Sequence, residues 1–188
     1  MKKIIFLSLS LMIVSMFGQF KYGFGVSLDL GPTLAGIEGV KIEPGVSLTI
    51  PLKFAGKFKV EPEIAIVSYN QTDDSTSVYK AIIMPGIGVF YEFKTKSENT
   101  VISPGLKLGL INATTENDNF DPIKYTQVSG IYFAGVLGGE YYFSENMSLG
   151  GEFQLQFESI YVTIDPDKED YYSQFSTRSS IKLRYYFN

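Results

Sequence analysis

Residues 147 to 157 read MSLGGEFQLQF. The odd positions Met147, Leu149, Gly151, Phe153, Leu155 and Phe157 are apolar or side-chain-free, and the even positions Ser148, Gly150, Glu152, Gln154 and Gln156 are small, polar or charged. Successive side chains of a strand point to opposite faces, so this stretch has one apolar and one polar face. It is longer than the roughly 5–6 residues usual in a soluble strand and matches the about 9–11 that carry a tilted strand across a bilayer. The same two-residue period recurs over residues 21–30, 41–52, 57–68, 79–93, 100–111, 129–143, 147–158 and 175–187. No stretch after residue 18 keeps apolar residues at helical spacing, which predicts an all-β chain.

In each of the eight segments one parity carries no charge. The opposite parity collects Lys21, Lys41, Lys59, Lys80, Lys107, Arg178, Lys182 and Arg184 against Asp29, Glu43, Glu61, Glu63, Glu92, Glu140, Glu152 and Glu158. A Lys or Arg on a lipid-facing surface costs about 2–4 kcal/mol at mid-bilayer, so the uncharged parity is the outer one. Charges pointing inward need partners, and a set balanced in sign supplies them.

The connections alternate in length. Brief turns (KFAGK, KTKSEN and SEN) join the second and third, fourth and fifth, and sixth and seventh segments, while longer links near 31–40, 69–78, 112–127 and 163–174 join the others. That rhythm predicts an eight-stranded antiparallel up-and-down transmembrane β-barrel, whose closure leaves no sheet edge for lipid to solvate. Eight strands enclose a space that side chains just fill, so the inward charges are expected to plug the lumen.

The chain opens MKKIIFLSLSLMIVSMFGQ, a basic start followed by an apolar and Ser run from Ile4 to Phe17. This predicts a signal peptide over 1–18 and a barrel domain over 19–188. Loss of Lys2 and Lys3 takes the formal charge from −4 to −6, which disfavours nucleic acid as a partner. There is no cysteine and no histidine, which removes thiolate chemistry, the commonest general base and the commonest metal ligand.

Two details accompany the strands. Tyr91, Phe93, Tyr141, Phe143, Tyr185 and Phe187 lie by the short turns and Tyr69, Tyr79, Tyr132, Tyr161 and Phe175 by the long links, which predicts two aromatic girdles. Pro44, Pro62, Pro85 and Pro104 fall inside strands on the outward parity; a proline removes a ladder hydrogen bond, so a bulge is expected at each.

The stretches FKVEPEIAIVSYN, SPGLKLGL, FAGVLGGEYYFSENMSLGGEFQLQF and the closing SSIKLRYYFN resemble the small outer-membrane β-barrels of Gram-negative bacteria, the broad family of OmpX and the membrane domain of OmpA, and within it the Bacteroidota-type barrel. The resemblance implies a cell outer-membrane location, periplasmic termini, and outer-membrane lipid and lipopolysaccharide as surroundings. It also implies that the assembly machinery reads the C-terminal strand at Ile181, Leu183, Tyr185 and Phe187, here followed by Asn188. Loops in that family serve adhesion, host contact or envelope integrity. No cofactor, catalytic residue or metal ligand is implied.

Four other readings compete. A lipid-modifying outer-membrane enzyme of this size uses a His, and interior ion pairing accounts for Ser47 and for Glu61 with Lys59. A narrow channel is limited by the filled interior. A secreted soluble β-sandwich places the charges outside and the aromatics inside. DPDKED, residues 165–170, carries hard oxygen donors for Ca²⁺ but lacks the Gly and late Glu of an EF-hand loop, so it reads as a solvated acidic loop.

Overall fold

The computed structural model describes residues 20–32, 41–42, 45–73, 76–117, 124–165 and 168–187. Their regular structure is entirely β-strand. β1 is Lys21–Pro32. β2 runs in three pieces, Lys41–Ile42, Gly45–Thr49 and Leu52–Phe54. β3 is Phe58–Asp73, and β4 is Thr76–Tyr91 continued by Phe93–Lys94. β5 is Thr100–Asn117, β6 Lys124–Tyr142, β7 Met147–Asp165 and β8 Lys168–Phe187.

Each strand pairs antiparallel with the next, and β8 pairs back onto β1 from Tyr22 with Phe187 to Pro32 with Arg178. The sheet is therefore a closed eight-stranded barrel and not a sandwich. Partners can be followed around it from Arg184 through Gly25, Thr49, Glu63, Gly86, Gly109, Tyr132 and Glu158 to Gln174. The path returns to β8 ten residues from its start. With strands about 4.8 Å apart and about 3.3 Å per residue, that stagger tilts them about 40° from the barrel axis.

The faces follow the sequence parity. Val26, Leu48, Ile64, Val89, Leu108, Phe133, Leu155 and Leu183, one from each strand, are exposed on the outside. Lys59, Glu61, Lys107, Glu140, Glu152, Lys182 and Arg184 are buried inside. The outward rings pair into belts: Tyr22 with Phe187, Phe58 with Tyr91 and Tyr185 with Phe187 at the end bearing the short turns, and Phe157 with Phe175 towards the other. From Tyr185 to Phe175 is ten residues of β8, about 25 Å of axial height at this tilt, which is the thickness of the apolar band of such barrels.

Tyr132 does not belong to a girdle. It points inward, 6% exposed, as the even parity of β6 requires. The side chains of Tyr69 and Tyr79 lie outside the described residues.

The strands also run further than the alternation indicates. Much of the stretches read as loops at 69–78, 112–127 and 163–174 is ladder: Asp73 pairs with Thr76, Asn117 with Lys124 and Asp165 with Lys168.

At the opposite end, Ala55 (φ 50°) and Gly56 (φ 67°) are both left-handed, and Lys57 N donates to Phe54 O at 3.2 Å. This is a type I′ turn, whose twist matches that of a hairpin. Between β6 and β7 Ser144 Oγ accepts the Met147 N–H at 3.0 Å.

Pro62, Pro85 and Pro104 do not make bulges. Pro62 O accepts from Ile50 N at 3.0 Å, but the proline has no N–H to return, and β2 lapses at Ile50–Pro51 before resuming in the same register. Bridging between β4 and β5 lapses in the same way beside Pro85 and opposite Pro104, with the offset unchanged on both sides. Each missing donor thus removes one rung without inserting a residue. The register shifts lie elsewhere, between Asp29 and Pro32 and between Thr163 and Asp165. Pro44 lies outside the described residues.

Candidate functional site

The inward parity brings charged side chains from around the barrel into one interior. On β8, Lys182 and Arg184 occupy alternate positions; on β3, Lys59, Glu61 and Glu63 do the same. Those two strands lie on separated parts of the wall, so their side chains meet across the lumen. Arg184 Nη2 is 2.7 Å from Glu61 Oε2 and Nη1 is 2.9 Å from Glu140 Oε1, while Lys182 Nζ is 2.8 Å from Glu61 and 2.7 Å from Glu152.

The contacts continue in both directions. Lys107 from β5 lies 2.6 Å from Glu63 and 2.9 Å from Glu152. Lys59 reaches Glu140 at 2.7 Å and Glu92 at 4.0 Å, and Lys53 closes the chain on Glu92 at 2.8 Å. These contacts join Lys53, Lys59, Lys107, Lys182 and Arg184 to Glu61, Glu63, Glu92, Glu140 and Glu152, five of each sign. Stripping an ion of water costs several kcal/mol, which only close partners and further hydrogen bonds offset. The further bonds are present: Ser148 Oγ and Tyr186 OH each donate to Glu140 Oε2 at 3.0 Å, and Gln154 Nε2 donates to Glu152 at 3.3 Å.

Towards the hairpin end, Arg178 pairs with Asp29 and donates to Met84 Sδ at 3.5 Å. Glu158 accepts from Gln156 Nε2 and Gln174 Nε2, each at 2.7 Å, and from Ser176 Oγ at 3.1 Å. Among the sequence-predicted positions, Lys21 is exposed at the foot of β1 and is not one of the buried side chains, because the barrel wall ends at its level. The side chains of Lys41, Glu43 and Lys80 lie outside the described residues, as do those of Asp165, Asp167, Glu169 and Asp170. No group of three or more metal-ligating side chains occurs among the described residues.

Two interior features escape a charge-based reading. The first is Lys53, whose Nζ lies 4.5 Å from the Tyr186 ring centre and 5.0 Å from that of Tyr142, with a hydrogen bond to Tyr142 OH. It has inward parity but follows Pro51 and Leu52, where the alternating segment stops. The second is apolar. Ala65, Val67, Met84, Ile111 and Tyr132 form a buried cluster joined by Ile82 and Ile160, and Phe90, Ala134 and Val136 form another.

Glycines make room for the two rings. A Cβ on Gly109 would stand 2.5 Å from Tyr132 Cε1, and one on Gly88 would stand 2.5 Å from Phe90 Cε2. The ring of Phe90 also carries Lys59 Nζ at 4.7 Å.

A closed barrel that exposes Val, Leu, Ile and Phe and buries paired charges inverts the arrangement of a soluble protein. This inside-out pattern defines the class of transmembrane β-barrels.

Comparison with solved structures places the fold among small outer-membrane barrels. The OprG outer-membrane protein of Pseudomonas aeruginosa superposes with a TM-score of 0.59 at 14% identity, over 90% of this chain and 95% of that one. A major outer membrane protein of Thermus thermophilus gives 0.57 at 12% identity, over 90% and 100%. Neisserial surface protein A gives 0.54 at 16% identity, over 89% and 97%. The sequence matches no protein-family model and no curated protein.

Proposed function

We propose that the chain is an integral protein of the cell outer membrane, exported by a signal peptide over residues 1–18, with its short turns and both termini in the periplasm. It has no catalytic role: its ion-paired interior closes the lumen to solutes, and its hairpin end serves surface interaction or envelope integrity. Lipopolysaccharide and membrane lipid surround it. The outer-membrane assembly machinery reads Ile181, Leu183, Tyr185 and Phe187, which lie exposed in alternation at the end of β8.

The observation that carries this reading is the pairing of an apolar exterior with the ten-membered neutral network. Within that network Lys59, Glu61, Lys107, Lys182 and Arg184 have side chains no more than 2% exposed. A lumen crossed by such pairs leaves no continuous water path for ions. Two measurements test it. The detergent-extracted protein should shift its gel mobility on heating, and it should give no steady conductance in a planar bilayer. Solubility without detergent would overturn the membrane assignment, and large steady currents would overturn the closed lumen in favour of a channel.

A further inference from the structure

We infer that the outward face of the β7–β8 hairpin, beyond the lipid band, is a ledge that binds the sugar portion of outer-leaflet glycolipid; this rests on the orientation proposed above. Phe157 and Phe175 are cross-strand partners with ring centres 5.0 Å apart. Four residues further along each strand, Tyr161 and Tyr171 are again partners on the same outward face, with ring centres 5.1 Å apart and planes tilted by 55°. They are 50% and 58% exposed. Between the two pairs Ser159 faces Ser173, and Ser159 Oγ donates to Tyr171 OH at 3.2 Å.

Height decides what these rings meet. Four residues at a tilt of about 40° rise about 10 Å along the axis, so the tyrosines stand about 10 Å past the ring pair that marks the hydrocarbon edge. Acyl chains do not reach that level. A side chain directed radially there faces the headgroups of neighbouring lipids and neither the lumen nor the open water above. Two tyrosine rings present flat apolar faces edged by hydroxyls, and the two serines add further donors and acceptors. A sugar ring, with C–H groups on its faces and hydroxyls on its rim, is the headgroup chemistry that complements both.

The test uses the full protein in phosphatidylcholine vesicles doped with lipid A alone or with a glycolipid that also carries core sugars, and it reads the unfolding midpoint by heat-modified gel mobility. The core sugars are expected to raise the midpoint above that with lipid A. The increment should be lost in Tyr161→Ala/Tyr171→Ala and in Tyr161→Leu/Tyr171→Leu, and kept in Tyr161→Phe/Tyr171→Phe. Equal midpoints in the two glycolipids, or an increment that survives the Ala and Leu variants, would overturn the ledge. A protease site inserted between Pro166 and Asp167 reads the orientation on intact cells. Cleavage is expected there, and protection would overturn the orientation and this inference with it. Cleavage without a sugar increment would overturn the ledge alone.

Discussion

Arg184 on β8 and Glu61 on β3 share no backbone hydrogen bond, yet Nη2 and Oε2 lie 2.7 Å apart in the barrel interior. The pair ties together two parts of the wall that the closed sheet connects through β1 and β2 on one side and through β7, β6, β5 and β4 on the other. Truncating either side alone leaves the other as a buried ion short of partners. Glu61→Ala and Arg184→Ala are each expected to destabilise by about 3–5 kcal/mol. Urea unfolding in lipid vesicles checks this, and the double variant should lose less than the two single losses combined.

The position of the membrane can be read from substitution depth. Phe153 lies midway along the outward face of β7 between Met147 and Phe157, whereas Phe93 sits at the belt by the short turns. Phe153→Arg is expected to cost about 2–4 kcal/mol and Phe93→Arg only about 0–1 kcal/mol, measured by the same unfolding assay. Equal losses would mean that the two positions share one environment.

Gly109 is expected to resist even the smallest enlargement. Its Cβ position falls 2.5 Å from Tyr132 Cε1 and 2.5 Å from Pro85 O, and a backbone oxygen in a barrel wall cannot step aside. Gly109→Ala should destabilise by about 1–3 kcal/mol through overpacking. Gly135, which has nothing within 4 Å of its Cβ position, should accept Ala with little change in the same measurement.

Lys53, held between the rings of Tyr142 and Tyr186, is the outermost cation of the network at the turn end, with its side chain 11% exposed. Ser148 lies nearby, fully buried and bonded to Glu140. Because the chain has no cysteine, Ser148→Cys gives a single thiol reporter. It is expected to resist a charged thiol reagent while Lys53 is present and to react at least about tenfold faster in a Lys53→Ala background, a change of about 1.4 kcal/mol in access. Unchanged labelling would show that Lys53 does not shield that end.

The architecture was legible in the sequence because lipid and lumen demand opposite residues, and strand geometry writes that demand as a two-residue period. Leu155 outside and Glu152 inside follow from parity alone. The far ends of the strands were not legible for the same reason. Over Asn112–Asn117 and Lys124–Val128 both faces of the wall have left the apolar band, so the contrast fades although the ladder continues.

The prolines misled because a missing donor and an inserted residue make the same mark in a sequence; Pro85 and Pro104 drop rungs without slipping the register. Nor could parity say which charges meet. That Arg184 reaches Glu61, Glu140 and Glu152 depends on the ten-residue stagger, which no single strand encodes.

That the strands of β5 to β8 continue as paired ladder beyond the apolar band has a thermodynamic consequence. A recognition surface built on free loops must surrender conformational entropy when a partner arrives, commonly about 0.5–1.5 kcal/mol for each mobile side chain it immobilises. Ladder fixed by cross-strand hydrogen bonds has already lost most of its backbone share of that freedom during folding. At the proposed ledge Tyr161 and Tyr171 therefore meet a sugar on a platform whose shape is set in advance, so less of the contact free energy is offset by ordering the surface and more of it remains as affinity.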